Sequence, residues 1–177
     1  MDKFEIKSSC HTFSGELKVP ADKSIAHRAL LIASLNKEMT KITNLAFSED
    51  VRTISNDIQS TIKCLADIGV QFAEIKGNIF VRGRGIKDFI QSEGILDCGN
   101  SGTTARLIMG LLSGQRFESK LNGDNSLKNR PMERVIEPLS EMGANISSEN
   151  NQLPITISPG NLKAVSYTHL TLPTIAI

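Results

Sequence analysis

Apolar residues along the chain change their period in a fixed order, and the order is used twice. Phe4 and Ile6, then Leu17 and Val19, alternate with polar neighbours, the two-residue period of extended chain. Residues 26–35 are a dense apolar block closed by the polar Asn36-Lys37-Glu38, which predicts a short helix, and residues 39–45 suit a strand. Ser48 and Asp50 are then predicted to cap a helix carrying Val51, Ile54, Ile58, Ile62, Leu65 and Ile68. Spacings of three and four keep those six on one face, and Gly69 is placed to end the helix. Residues 70–75 and 79–81 read as a hairpin across Lys76-Gly77-Asn78.

The second pass runs the same way. A strand is predicted over 95–98, an apolar helix over 103–113 and a strand over 116–121. Pro131 suits the first turn of the next helix, whose stripe is Val135, Ile136, Leu139 and Met142 and which Gly143 ends. Residues 144–147 and 153–157 form the second hairpin, around Asn150-Asn151. The strings LADIG (65–69) and LSEMG (139–143) put the two second helices in register. Residues 22–35 align with 100–113, which sets Arg28 on Arg106. The expected fold is therefore α/β, built from a βαβαββ unit used twice, with the helices packed together and short sheets outside them.

Composition narrows the picture. The 177 residues are 40% hydrophobic and 22% charged, which is globular, and with no Trp and one Tyr the core must be aliphatic. Twenty Lys and Arg against nineteen Asp and Glu leave a net charge of +1, so no general attraction to nucleic acid or anionic membrane is expected. Any anion must be held by a local cluster. Cys10, Cys64 and Cys98 are odd in number and form no CxxC pair, which favours a reducing compartment. The start MDKFEIKSSC has no apolar signal core, and the longest apolar runs, 29–33 and 107–112, are too short to span a bilayer. A cytoplasmic protein is the expectation.

Three segments join a turn, a helix start and positive charge. Val19 to Arg28 leads a strand into a loop bearing Lys23 and Ser24, with Arg28 near the first turn of the helix. Backbone N–H groups at a helix start favour an anion, and an ammonium, a hydroxyl and a guanidinium would complete a phosphate or carboxylate site. Asp97 to Arg106 offers two glycines and small hydroxyl residues before a Thr N-cap, so a ligand can approach the backbone closely. In Gly123 to Met132, Pro131 fixes the backbone after Arg130 and presents that side chain before a helix. Taken alone, the first reads as a solvated turn with surface Lys and Arg, the second as a Gly-rich turn before a Thr N-cap, and the third as a turn that happens to be basic. The first two occupy equivalent positions at the entry to each first helix and the third enters a second helix, which predicts that they converge on a small polyanion.

The strings DKSIAHRALLIASL, GNSGTTARLIMGLLS and GDNSLKNRPMERVIEPLSEMGA, with natural spacing over about residues 15–160, resemble the N-terminal half of 5-enolpyruvylshikimate-3-phosphate synthases. The resemblance implies an enolpyruvyl transferase fold of the inside-out α/β barrel type, two domains of three βαβαββ units each, of which this chain holds an incomplete part. Residues 1–14 would then contact an absent C-terminal domain, 15–165 form two units, and the tail SYTHLTLPTIAI (166–177) departs from the family pattern and reads as non-native. The implied reaction moves the enolpyruvyl group of phosphoenolpyruvate to the 5-hydroxyl of shikimate 3-phosphate with loss of phosphate, in the shikimate pathway to chorismate and the aromatic amino acids. It uses no metal or redox cofactor.

The resemblance also assigns Lys23, Ser24 and Arg28 to shikimate 3-phosphate, and Lys23, Gly102 and Arg130 to phosphoenolpyruvate, with Lys23 the one catalytic residue in this half. The remaining acid and base groups belong to the absent domain, so the fragment alone is expected to be inactive. Two other readings compete. UDP-N-acetylglucosamine enolpyruvyltransferases have Lys-Asn in the first loop and a reactive Cys before the Arg-Pro pair, where this chain has Lys23-Ser24 and Asp124-Asn125-Ser126. The other reading is a non-catalytic anion-binding domain. His11, His27 and His169 receive no role.

Overall fold

The computed structural model describes residues 22–45 and 55–166. The predicted strands within 4–19, the expected caps Ser48 and Asp50, Val51, Ile54, and all but Ser166 of the tail lie outside those residues. The elements run α1 (Lys23–Ser34), β1 (Met39–Ile42), α2 (Asn56–Asp67), β2 (Gln71–Ile75), β3 (Asn78–Arg82), β4 (Leu96–Asp97), α3 (Gly102–Ser113), β5 (Ser119–Asn122), α4 (Asn125–Lys128), α5 (Glu133–Glu141), β6 (Asn145–Glu149) and β7 (Gln152–Ser158). Among the described residues no helix is long and apolar enough to cross a membrane.

The repeat is visible in the sheets. One has the order β1-β3-β2 and the other β4-β5-β7-β6, so β1, β2 and β3 correspond to β5, β6 and β7. Among the described residues only β4 and β5 run parallel, joined by α3 as the crossover. The hairpins turn on Lys76-Gly77 and Asn150-Asn151, all four with positive φ, the two-residue geometry that matches strand twist. The first turn is thus one residue shorter than expected, because Asn78 already pairs with Ile75. Gly69 and Gly143 both sit at φ +97 just past their helices. There the N–H of the next residue returns to Leu65 O and to Leu139 O respectively, which caps α2 and α5 in the same way.

One register differs from the sequence reading. Asp22 caps α1 by accepting from Ile25 N at 2.8 Å, and Ser101 caps α3 by accepting from Thr104 N at 3.2 Å. Cap against cap, Arg106 corresponds to His27, and Arg28 to Leu107. The alignment on Arg28 is off by one residue because charge, rather than the cap, chose it. Other boundaries also move. The Asp22 cap starts α1 three residues early, so Lys23 and Ser24 lie on the helix and not in a loop. The cap of α3 is Ser101, not a Thr, and the N-cap position of α2 is Ser55. Pro131 stands outside α5, which begins at Glu133.

Helices α1, α2 and α3 pack on one another and α3 on α5, with the sheets outside. Leu30, Ile58, Leu65, Ile108, Met109 and Leu112 fill the helical interior. Ile79 and Val81 of β3, and Leu153, Ile155 and Ile157 of β7, cover it from the two sheets on alternate positions. The core is aliphatic as expected, Phe89 being its one buried aromatic among the described residues. Cys64 and Cys98 are free and buried there. Hydrogen bonding with Cys64 and then burial push the Cys98 thiol far above its ordinary pKa, so it stays protonated; it stands just past β4 and not within the strand expected over 95–98.

Candidate functional site

The N-terminal halves of α1, α2 and α3 are tied together by a buried polar chain. His27 Nδ1 lies 2.6 Å from Thr61 Oγ1, which lies 2.6 Å from Thr104 Oγ1, and Thr104 donates to Ser101 Oγ at 2.8 Å. Asp57, in the first turn of α2, adds two further links. Its carbonyl lies 3.3 Å from Thr104 Oγ1, and its carboxylate faces Lys23 Nζ at 3.4 Å. Three helix starts are therefore held side by side, with Asp22 and Ser101 each taking up one N–H of α1 and α3, and the remaining first-turn N–H groups and aligned peptide dipoles favour an anion there. No sequence signal marked Thr61 or Asp57, since each is an ordinary polar residue on a helix until the fold sets it beside α1 and α3.

His27 is buried within this chain, and its pKa is lowered from the ordinary 6.5 chiefly by desolvation, against the opposing pull of Asp57. Its neutral form is favoured in the folded state, so below pH about 6.5 the unfolded chain takes up the proton first and stability falls. Urea midpoints measured from pH 8 to pH 5 are expected to be flat at the alkaline end and then to decline. In His27→Gln that component of the decline disappears. An identical pH slope in the variant would remove His27 as its origin.

Of the residues singled out, Lys23, Ser24 and Arg28 are all exposed near the start of α1. The Arg28 Nε donates back to Ser24 O at 3.0 Å, which leaves the rest of the guanidinium outward. The exposed Lys23–Asp57 pair is worth at most about 1 kcal/mol, so Lys23 can exchange that partner for a ligand at little cost.

Gly102 and Arg130 are brought together from the second unit. Gly102 is the first residue of α3, and a Cβ there would lie 2.9 Å from one terminal nitrogen of Arg106 and 3.5 Å from one of Arg130. The two guanidinium groups thus stand beside a bare helix start. Parallel pairing of β4 and β5 makes this possible, because the loops leaving their C-terminal ends emerge side by side, with Asp124 N donating to Gly99 O at 2.9 Å. The segment read as a turn before a helix start contains a short helix of its own, α4, capped by Asp124 Oδ1 on Leu127 N at 2.8 Å. After it, Met132 is fully buried and its N–H donates to Asn151 O at 2.9 Å, which anchors the Arg130-Pro131-Met132 bridge. Arg130 donates to Asn100 Oδ1 at 2.5 Å, and Asn100 Nδ2 donates to Asp124 Oδ2 at 2.6 Å. Asp at position 124 before a polar turn was a legible cap signal for α4; its contact with Asn100 was not.

Among the described residues no group of three His, Cys, Asp or Glu side chains has the arrangement of a metal site. The arrangement suits a ligand with two or more negative charges, and it offers electrostatic stabilisation where charge shifts during reaction.

Comparison with known proteins gives the family. The family model for EPSP synthase (3-phosphoshikimate 1-carboxyvinyltransferase) matches residues 8–173. A 3-phosphoshikimate 1-carboxyvinyltransferase of Thermoanaerobacter sp. (strain X514) is 48% identical over 155 residues, 86% of this chain and 34% of the relative. One from Aquifex aeolicus (strain VF5) is 46% identical over the same shares. The solved EPSP synthase of Acinetobacter baumannii superposes with a TM-score of 0.77 at 34% identity, covering 86% of this chain and 34% of that one. The chain spans about a third of the length of the relatives it matches. On the matched span and the shared fold together, the chain belongs to the EPSP synthase (3-phosphoshikimate 1-carboxyvinyltransferase) family.

Proposed function

We propose that this chain is the charge-gathering part of an enzyme that transfers the enolpyruvyl group of phosphoenolpyruvate to the 5-hydroxyl of shikimate 3-phosphate. The observation that carries the reading is the meeting of three helix starts, with Lys23 and Arg28 on the first and Arg130 beside Gly102 on the third. Each substrate bears a phosphate and a carboxylate, and their mutual repulsion must be offset before the reacting carbons and oxygen meet. Lys23, Ser24 and Arg28 are assigned to shikimate 3-phosphate. Lys23, Gly102 and Arg130 are assigned to phosphoenolpyruvate, with Lys23 neutralising charge near both.

In the reaction the 5-hydroxyl oxygen bonds to C2 of phosphoenolpyruvate while C3 gains a proton. The hydroxyl proton is lost, and a tetrahedral adduct forms. A C3 proton then leaves as the C2–O bond to phosphate breaks, releasing inorganic phosphate and the enol ether. Both steps need proton donors and acceptors; of the groups gathered here only the Lys23 ammonium is assigned to the chemistry, and on this reading the chain by itself binds without turnover. Free, buried Cys64 and Cys98 fit a reducing, cytoplasmic setting.

Calorimetric titration of the folded chain tests this. Heat is expected on adding shikimate 3-phosphate and again on adding phosphoenolpyruvate, with none for UDP-N-acetylglucosamine and no phosphate release. A folded sample silent to shikimate 3-phosphate would end the assignment.

A further inference from the structure

Arg130 is held by a neutral group, and the negative charge stands one residue further back. Its guanidinium has no carboxylate within ion-pair range among the described residues. Instead it donates to Asn100 Oδ1 at 2.5 Å, and Asn100 Nδ2 donates to Asp124 Oδ2 at 2.6 Å. A carboxylate directly on Arg130 would hold it equally well but would compete with any incoming anion for the same N–H groups. The amide spacer removes that competition.

Only one orientation of the Asn100 amide satisfies both neighbours. Turned over, its NH2 would face the guanidinium, donor against donor, and its oxygen would face the carboxylate, acceptor against acceptor. Asp124 therefore fixes which way Asn100 points, and the charge-assisted bond it accepts polarises the amide and strengthens Oδ1 as an acceptor. Asp124 is itself immobilised by its cap on Leu127 N and by its own N–H on Gly99 O. The Leu127 N–H first, and the Asn100 amide after it, hold its carboxyl below the ordinary range, so it is ionised near neutrality.

We propose that Asp124 is a positioning residue that acts through Asn100 to fix the Arg130 guanidinium beside Gly102 while leaving its positive charge available to an anion. This rests on the assignment of Arg130 to phosphoenolpyruvate.

Asp124→Ser separates the relay from the helix cap. Serine is a good N-cap, so α4 keeps its bond to Leu127 N, but nothing faces the Asn100 amide. In this variant the urea midpoint is expected to stay close to that of the unaltered chain. The Asn100 side-chain amide protons, followed by nitrogen-edited NMR without ligand, move and exchange faster. Phosphoenolpyruvate, titrated with shikimate 3-phosphate saturating, binds about tenfold more weakly, the loss expected when one charge-assisted hydrogen bond is disordered. Shikimate 3-phosphate itself binds as before. An unchanged Asn100 signal, or unchanged phosphoenolpyruvate affinity, overturns the proposal.

A swap, Asn100→Asp with Asp124→Asn, keeps the chain of hydrogen bonds and moves the carboxylate onto Arg130. Here phosphoenolpyruvate affinity is expected to fall more than tenfold, and full affinity would refute the need for an uncancelled charge. Should the unaltered chain bind neither substrate, the functional reading fails on its own, and the relay is then decided by the Asn100 amide signal.

Discussion

Replacing Gly83 with alanine is expected to destabilise the chain by about 3 kcal/mol, the upper end for overpacking a filled interior. The reason lies in how α1 ends. Its C-cap is Leu35, with no glycine there to turn the chain, and the Ser34 carbonyl accepts from Arg84 N at 2.9 Å instead. That bond brings the exit of β3 directly against the last turn of α1. A Cβ at Gly83 would fall inside contact distance of the carbonyl oxygens of both Ser34 and Asn36. These are backbone atoms, so no side-chain rotation relieves the overlap. Either β3 withdraws and leaves Ser34 O unpaired, or α1 shifts and opens the helical core. At about 2–4 °C per kcal/mol for a chain of this size, the melting temperature should fall by about 6–12 °C. Gly77→Ala is the matched control, since a Cβ there meets nothing within 4 Å and its only cost is positive φ. Equal melting temperatures for the two variants would show that the crossing is looser than these distances imply.

Arg130→Ala is expected to weaken phosphoenolpyruvate binding by about 10- to 100-fold while leaving shikimate 3-phosphate affinity nearly unchanged. The side chain is anchored at one end by Asn100 and aimed beside the bare start of α3, so little ordering entropy remains to be lost on binding. Removing it deletes hydrogen bonds to a charged ligand, each worth about 1.5–3 kcal/mol. Arg130→Lys should recover only a small part of the loss, because a single ammonium cannot both reach Asn100 and offer a two-pronged contact to a carboxylate or phosphate. Lys23→Met provides the contrasting pattern, with both ligands weakened, since that ammonium is assigned to each. The measurement is calorimetric affinity for each substrate in turn. An Arg130→Ala chain that binds phosphoenolpyruvate normally, or a Lys23→Met chain that loses only one ligand, would contradict the division of roles.

Much of the architecture was legible in the residues because local physics decides it. The stripe Ile58, Ile62, Leu65, Ile68 made a helix face. Gly69 and Gly143 end their helices at the same φ because only glycine takes that conformation freely. Asn150-Asn151 and Lys76-Gly77 made hairpin turns for a related reason. Errors fell where a cap outweighed hydrophobic count. Asp22 extends α1 backwards over Lys23 and Ser24, and Asp124 folds a turn of helix from residues that look like loop.

What the sequence determined by itself is therefore the repeat, the helix and strand periods, the aliphatic core and the positions of the basic helix starts. These follow from contacts between residues a few positions apart. The tertiary structure alone decided that Thr61 meets Thr104 across 43 residues, that Asp57 faces Lys23 across 34, and that Asn100 stands between Asp124 and Arg130. Such pairings depend on which helix starts the core packs together and on two strand ends leaving a parallel pair in the same direction. A hydroxyl or an amide has the same local chemistry wherever it falls, and only packing supplies its partner.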